Sequence, residues 1–177
     1  LNVEGHKGTG KEGYGVLKTF QRSCFRADCE TCYEKWNGRE SNKSTRRIEK
    51  YENESKKKVK HIIISVPRWE YGKSKKELSE QARKILKEVY CDGGAMIFHP
   101  NRFNKISKIW YYSPHFHVLG FGWIEQVAEA YSKHGWVVKN KGNRTSIFST
   151  FYYLLSHCGI KSHNHTLHWL SRIHYRR

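Results

Sequence analysis

From Lys60 onward the chain alternates short runs of β-branched and aromatic residues with longer amphipathic stretches. "KHIIISVP" (60–67) is a continuous apolar run closed by proline, and it predicts a central strand. "SKKELSEQARKILKEVY" (74–90) sets Leu78, Ala82, Ile85, Leu86 and Val89 at helical spacing behind Ser74, a candidate N-cap. "GAMIFHP" (94–100) and "HFHVLGFG" (115–122) read as two further strands, and "IEQVAEAYSKHG" (124–135) as a short helix closed by Gly135. "WVVKN" (136–140) is a fourth strand, and "SIFSTFYYLLSHCG" (146–159) an aromatic-rich helix closed by Gly159. Strand, helix, strand, strand, helix, strand and one extra helix is the split βαβ order. The predicted class is α+β: a ferredoxin-like or RRM-like antiparallel sheet with helices on one face.

Residues 1–57 have a different character, rich in Gly, Lys and Glu and poor in aliphatic residues outside "GVLKTF". "TCYEKWNGRESNKSTRRIEKYENESKKK" predicts a helix with Tyr33, Trp36 and Ile48 on one side, ending in a solvated connection. We therefore divide the chain into an N-terminal cysteine-containing segment, 1–57, and a second domain, 58–177.

Charge narrows the choice of partner. Lys and Arg number 33 against 16 Asp and Glu, a formal net charge of +17, which points to a polyanion. Nucleic acid is the first candidate and a membrane surface the second. No apolar run is long enough to span a bilayer and no secretory pattern opens the chain, so a cytoplasmic location is expected. Leu1 at the start implies a trimmed or missing beginning.

The five cysteines include Cys24, Cys29 and Cys32 at C-x4-C-x2-C spacing, which suits a metal site better than a disulfide framework. C-x2-C is half of a tetrahedral zinc site, and His6 is the nearest upstream candidate for a fourth ligand. A structural Zn2+ would also explain how a segment with little to bury folds. The fourth ligand can instead come from the Cys158, His163, His165, His168 region; Cys91 reads as structural. "GHKGTGKE" (5–12) nearly spells a phosphate-binding loop. Glu12 stands where Ser or Thr would hold Mg2+, and neither a strand before it nor a helix after it is in place, so the motif is rejected.

The chemistry concentrates in "WYYSPHFHVLGFGW" (110–123). On a strand His115 and His117 share one face, about 7 Å apart, while Phe116 and Val118 take the other, where helices pack. Two imidazoles on one sheet face can converge on a cation. In "STFYYLLSHCG", Tyr153 and His157 stand i, i+4 on one helix face, about 6 Å apart. Tyr152 lies about 100° round the helix and has no such partner.

"PHFHVLGFG" resembles the H-hydrophobic-H motif of HUH endonucleases, "KHIIISVP" their upstream apolar strand and "YYLLSHCGI" their tyrosine helix. Over roughly residues 60–177 the chain looks most like rolling-circle replication initiators of archaeal plasmids and viruses. The resemblance implies cleavage of single-stranded DNA by Tyr153, with a 5′-phosphotyrosine bond and a free 3′-OH. The metal would be held by His115, His117 and His157. Many initiators carry a lysine three or four residues after the tyrosine, where this chain has Ser156 and His157, so His157 either binds metal or stands in for that lysine. A histidine-rich site suits Mn2+ better than Mg2+, with Mg2+ workable when phosphate oxygens complete its shell.

The implied partner is single-stranded DNA at a replication origin. Strand separation would come from a host helicase, alongside a host polymerase, with no membrane. "STRR", "SKKKVKH", "RFNKISK" and "SRIHYRR", with Trp110, Tyr111, Trp123 and Trp169, fit a groove that follows phosphates and stacks bases. A transposase or relaxase would use the same site. A non-catalytic RRM-like or zinc-containing nucleic-acid binder is the alternative of another class.

Overall fold

The computed structural model describes residues 23–27, 29, 31–88, 93–122, 124–156, 158, 160–161, 166–167 and 174–176, with 124 and the last three segments as backbone only. The main elements are α1 (Tyr33–Ser55), β1 (Lys60–Ser65), α2 (Lys75–Glu88), β2 (Gly94–Asn104), β3 (Ile109–Gly120), α3 (Ile124–Ser132), β4 (Val137–Asn143) and α4 (Ile147–Ser156). Short strands β5 (Ile160–Lys161), β6 (Thr166–Leu167) and β7 (His174–Arg176) follow. Among the described residues no helix is long and apolar enough to cross a membrane. The predicted "GVLKTF" piece lies outside the described residues, as do His6, Cys91, Trp123, His157, Gly159, His163, His165, His168 and Trp169.

The class is α+β, as the order of elements predicts. The main sheet runs β4-β1-β3-β2-β7, and every paired neighbour in it is antiparallel. β2 and β3 form a longer hairpin than their sequence suggests, because Pro100 does not end β2. The register shifts between His99 and Asn101, so the proline occupies an irregularity and pairing resumes at Asn101–Tyr112. Gly94 opens β2 at φ +133°, and a Cβ there would lie 2.4 Å from the Leu119 carbonyl oxygen. Only glycine lets the two strands approach so closely at this end.

Helices cover both faces of the sheet, which corrects the one-face expectation. On the first face Ile62, Ile64, Met96, Phe98, Phe116 and Val118 pack with Leu78, Ala82 and Ile85 of α2 and with Val127 and Tyr131 of α3. The expected N-cap of α2 forms as a reciprocal pair: Glu77 N–H donates to Ser74 Oγ at 3.2 Å, and Ser74 N–H to Glu77 Oε2 at 2.8 Å. Gly135 adopts φ +71° just beyond α3, as its place in the sequence predicts.

On the second face Ala95, Ile97, Leu119 and Phe121 pack with Ile147, Phe151, Leu154 and Leu155 of α4 and with Ile48 of α1. Alternation along β2 and β3 makes this face apolar at one end, and that surface needs cover. α1 supplies part of it, so the helix assigned to the N-terminal segment shares a core with the sheet domain. Its buried side is unusually polar. Asn37 Nδ2 donates to the Tyr152 carbonyl at 3.0 Å, Ser41 Oγ donates to Asn37 Oδ1 at 3.1 Å, and Tyr33 Oη donates to the Leu155 carbonyl. These bonds fix α4 by its backbone and set the azimuth of its aromatic side chains.

Candidate metal centre and adjoining cleft

The other end of the second face is polar. His115 and His117 stand on β3, and His99 on β2 lies directly opposite His115 in the register. Alternation brings all three rings to one side, as expected for the first two. Their ligand atoms all lie within 4.8 Å of one another, so the three can hold one metal ion. Ring centroids are 4.6 Å apart for His99–His117, 5.3 Å for His99–His115 and 5.2 Å for His115–His117.

His99 and His115 are each oriented from behind by a carbonyl, as metal-binding imidazoles generally are. His115 Nδ1 lies 2.8 Å from the Ser113 carbonyl, and His99 Nε2 lies 3.0 Å from the Leu154 carbonyl. Carbonyls only accept, so both nitrogens carry protons, and the lone pairs sit on His115 Nε2 and His99 Nδ1. His117 Nδ1 meets Nε2 of a fourth buried histidine, His61 on β1, at 2.9 Å. Arg144, in the turn between β4 and α4, approaches His61 Nδ1 with Nη2 at 2.7 Å and Nε at 3.2 Å.

All of these rings are buried, and burial makes charge expensive. Desolvation, helped by Arg102, lowers His115 to about 4, and desolvation, helped by Arg144 and Lys141, lowers His61 to about 4. His117 falls well below its ordinary value, first through burial and then through His99, His115 and His61. At neutral pH His61, His115 and His117 are therefore uncharged imidazoles, the protonation state that binds a divalent ion.

An open cleft of about 670 Å3 adjoins the triad; its wall includes Arg102, Lys105, Trp110, Tyr111 and Tyr153. Arg102 Nη2 donates to Ser65 Oγ at 2.8 Å and so lies across the strands beside His115. Tyr153 is 62% exposed and lines this cleft. Tyr152, 39% exposed, packs at a tilt beside Phe148 instead, with ring centroids 5.9 Å apart. Of the two adjacent tyrosines, Tyr153 is the one among the described residues that lines this cleft. Trp110 and Tyr111, both expected at a base-stacking surface, line it too.

The structure brings Tyr153, His115 and His117 together and adds His99, which sequence reasoning missed, as third member of the triad; His157 lies outside the described residues. A signal for His99 existed in "GAMIFHP", where alternation puts Ala95, Ile97 and His99 on one face. His61 in "KHIIIS" is placed likewise. Neither is separable from an ordinary buried histidine without knowing how the strands pair.

The sulfur cluster forms separately. The ligand atoms of Cys24, Cys29 and Cys32 also lie within 4.8 Å of one another. Hydrogen bonds from Ser23 and Cys24 bring the Cys32 thiol down to about 6, toward the thiolate a metal requires. His6, the expected fourth ligand, lies outside the described residues. Cys158 is buried in the second-face core and donates to the Leu155 carbonyl at 3.1 Å.

No family model, curated protein or solved structure matches the chain at a significant level.

Proposed function

We propose that this protein is a metal-dependent endonuclease of single-stranded DNA that cleaves and rejoins strands to initiate rolling-circle replication. One observation carries the reading: an exposed tyrosine, Tyr153, opens onto the same cationic cleft as three converging imidazoles. The strand order β4-β1-β3-β2 agrees with a ferredoxin-like sheet of the HUH type. Under this reading His99, His115 and His117 are the metal ligands.

The residues lining the cleft include Arg102 and Lys105 but no carboxylate among those described. That composition suits a phosphodiester, whose charge would be met by the two cations. Three neutral ligands also leave the charge of a divalent ion undiminished. Mn2+ suits them better than Mg2+, and the ion would supply charge stabilisation at a phosphoryl oxygen. Tyr153 Oη attacks phosphorus while the P–O3′ bond breaks. The phenol loses its proton, the departing 3′-oxygen gains one, and the 5′-phosphate stays on Tyr153. Bond energy is conserved in the new ester, so reversal of the step rejoins strands. Trp110 and Tyr111 would stack the neighbouring bases. Cys24, Cys29 and Cys32 would hold a structural Zn2+ ahead of α1.

The test uses a random-sequence pool of single-stranded oligonucleotides, labelled at the 3′ end and incubated with protein and Mn2+. A labelled adduct should survive a denaturing gel, vanish in Tyr153→Phe and persist in Tyr152→Phe. An adduct retained by Tyr153→Phe overturns the assignment, and binding without any adduct turns the protein into a non-catalytic binder.

A further inference from the structure

Arg144 and His61 make no contact the proposed reaction requires, yet both are committed to the metal centre. The direction of their hydrogen bonds is fixed by chemistry. A guanidinium only donates, so His61 Nδ1, approached by Arg144 Nη2 at 2.7 Å, must accept. A neutral imidazole has one lone pair and one N–H. The proton of His61 therefore sits on Nε2, 2.9 Å from His117 Nδ1, and His117 must accept in turn. The one lone pair of neutral His117 is thus already in use, and its own proton sits on Nε2. His99 and His115 show the opposite pattern, since each donates backward to a carbonyl and keeps its lone pair on the other nitrogen.

We propose that Arg144 latches the metal centre: by donating to His61 it commits the lone pair of His117, so full coordination requires the Arg144–His61 contact to open. The proposal rests on reading His117 as a metal ligand. No proton is gained or lost in the change. In the closed arrangement both rings carry hydrogen on Nε2. In the open one both carry it on Nδ1, with His117 donating to His61 and presenting Nε2 to the ion. His61 Nδ1–H then faces Arg144, two donors cannot share that position, and the guanidinium must turn away. Arg144 lies two residues ahead of Ser146, whose Oγ accepts the Ser149 N–H at 3.2 Å at the start of α4. The latch therefore stands at the root of the helix that carries Tyr153.

Arg144 is a positioning residue in this scheme, and its removal should strengthen metal binding, the reverse of what loss of a supporting contact does. Mn2+ affinity, measured by calorimetry on the intact chain, should rise about tenfold in Arg144→Met and in Arg144→Gln. Arg144→Lys, which keeps a donor, should stay near the parent value. Loss of a nearby positive charge alone would also tighten binding, so a second readout is needed. Imidazole 15N spectra of the metal-free parent should show His61 and His117 both protonated at Nε2. Titration with diamagnetic Zn2+ should move both protons to Nδ1. His115→Ala identifies the site, since binding there must disappear.

Unchanged or weaker binding in both Arg144→Met and Arg144→Gln overturns the latch and leaves the metal reading intact. So does an Nδ1 proton on His61 in the metal-free parent. Absence of His115-dependent binding in the parent and in both variants removes the metal centre and the latch together.

Discussion

Strands β1, β2 and β3 build two faces from alternate residues of the same segments, and the two faces do opposite things. The first is apolar along the strands from Ile62 and Ile64 to Phe116 and Val118, with Ile64 and Phe116 fully buried under α2 and α3. The second begins as hydrocarbon at Ala95 and Leu119 and ends in four imidazoles. Burying the first face stabilises the fold in proportion to apolar area. Burying the second desolvates polar rings, and the bonds to Ser113, Leu154, His61 and Arg144 offset that cost only in part. One face holds the sheet together, and the other holds neutral donors in place for an ion.

The sharpest way to break that contrast is to exchange chemistry between the faces. Phe116→Ala removes a ring packed 5.2 Å from Phe98 and stacked 6.1 Å from Trp136. It should cost about 3–5 kcal/mol in urea unfolding. On the other face of the same strand the opposite holds. Replacing His61 and His117 together by Leu removes both partners of a buried hydrogen bond and leaves the half-buried Arg144, which loses its His61 acceptor, to turn to water. The metal-free double variant should remain within about 1 kcal/mol of the parent, or exceed it. A loss as large as that of Phe116→Ala would show that the imidazole face is structural after all.

Acid should act through the second face. His61 and His115, both near 4 when folded, sit below the ordinary unfolded value of about 6.5. Between those values the unfolded chain binds more protons than the folded one. The contribution is therefore fully present above about pH 6.5 and is lost as pH falls toward 4. Metal-free stability should drop on the order of 2 kcal/mol across that window, allowing for the solvated part of His61. Carboxylates titrate at its lower end, so the useful quantity is the parent profile minus that of a His61→Leu, His115→Leu variant. Coincident profiles would assign the acid response elsewhere.

The two faces also differed in how much of them could be read in advance. Apolar spacing in "KHIIISVP" and "SKKELSEQARKILKEVY" located β1 and α2, and Ser74 stood out as the cap of α2, because those signals are local; its reciprocal partner Glu77 appeared only in the structure. Phe116 and His117 fell on opposite sides by alternation alone. His99 did not emerge, because its role is set by lying opposite His115 across two strands, a relation that no window of sequence contains. Arg144 and His61 stand 83 positions apart, and their contact depends on β4 pairing with β1. The cover supplied by α1 was missed for a similar reason. Its buried side carries Asn37, Ser41, Ser44 and Thr45, which read as solvated positions on a charged helix.

The smallest predicted effect tests whether the faces are independent. Ser74 caps α2, the helix over the hydrocarbon face, and no bond joins it to the imidazoles. Its hydroxyl accepts the Glu77 N–H at 3.2 Å while Glu77 Oε2 returns the contact at 2.8 Å, both at the exposed end of the helix. Ser74→Ala should lower unfolding stability by about 1 kcal/mol, the usual worth of an N-cap. The sheet lies between this cap and the triad, and distant sites without shared partners contribute additively. Mn2+ affinity should therefore be the same in Ser74→Ala as in the parent. A parallel loss of affinity would mean that α2 loosens β3 as a whole, Phe116 and His117 together, and that the two faces form one cooperative unit rather than two.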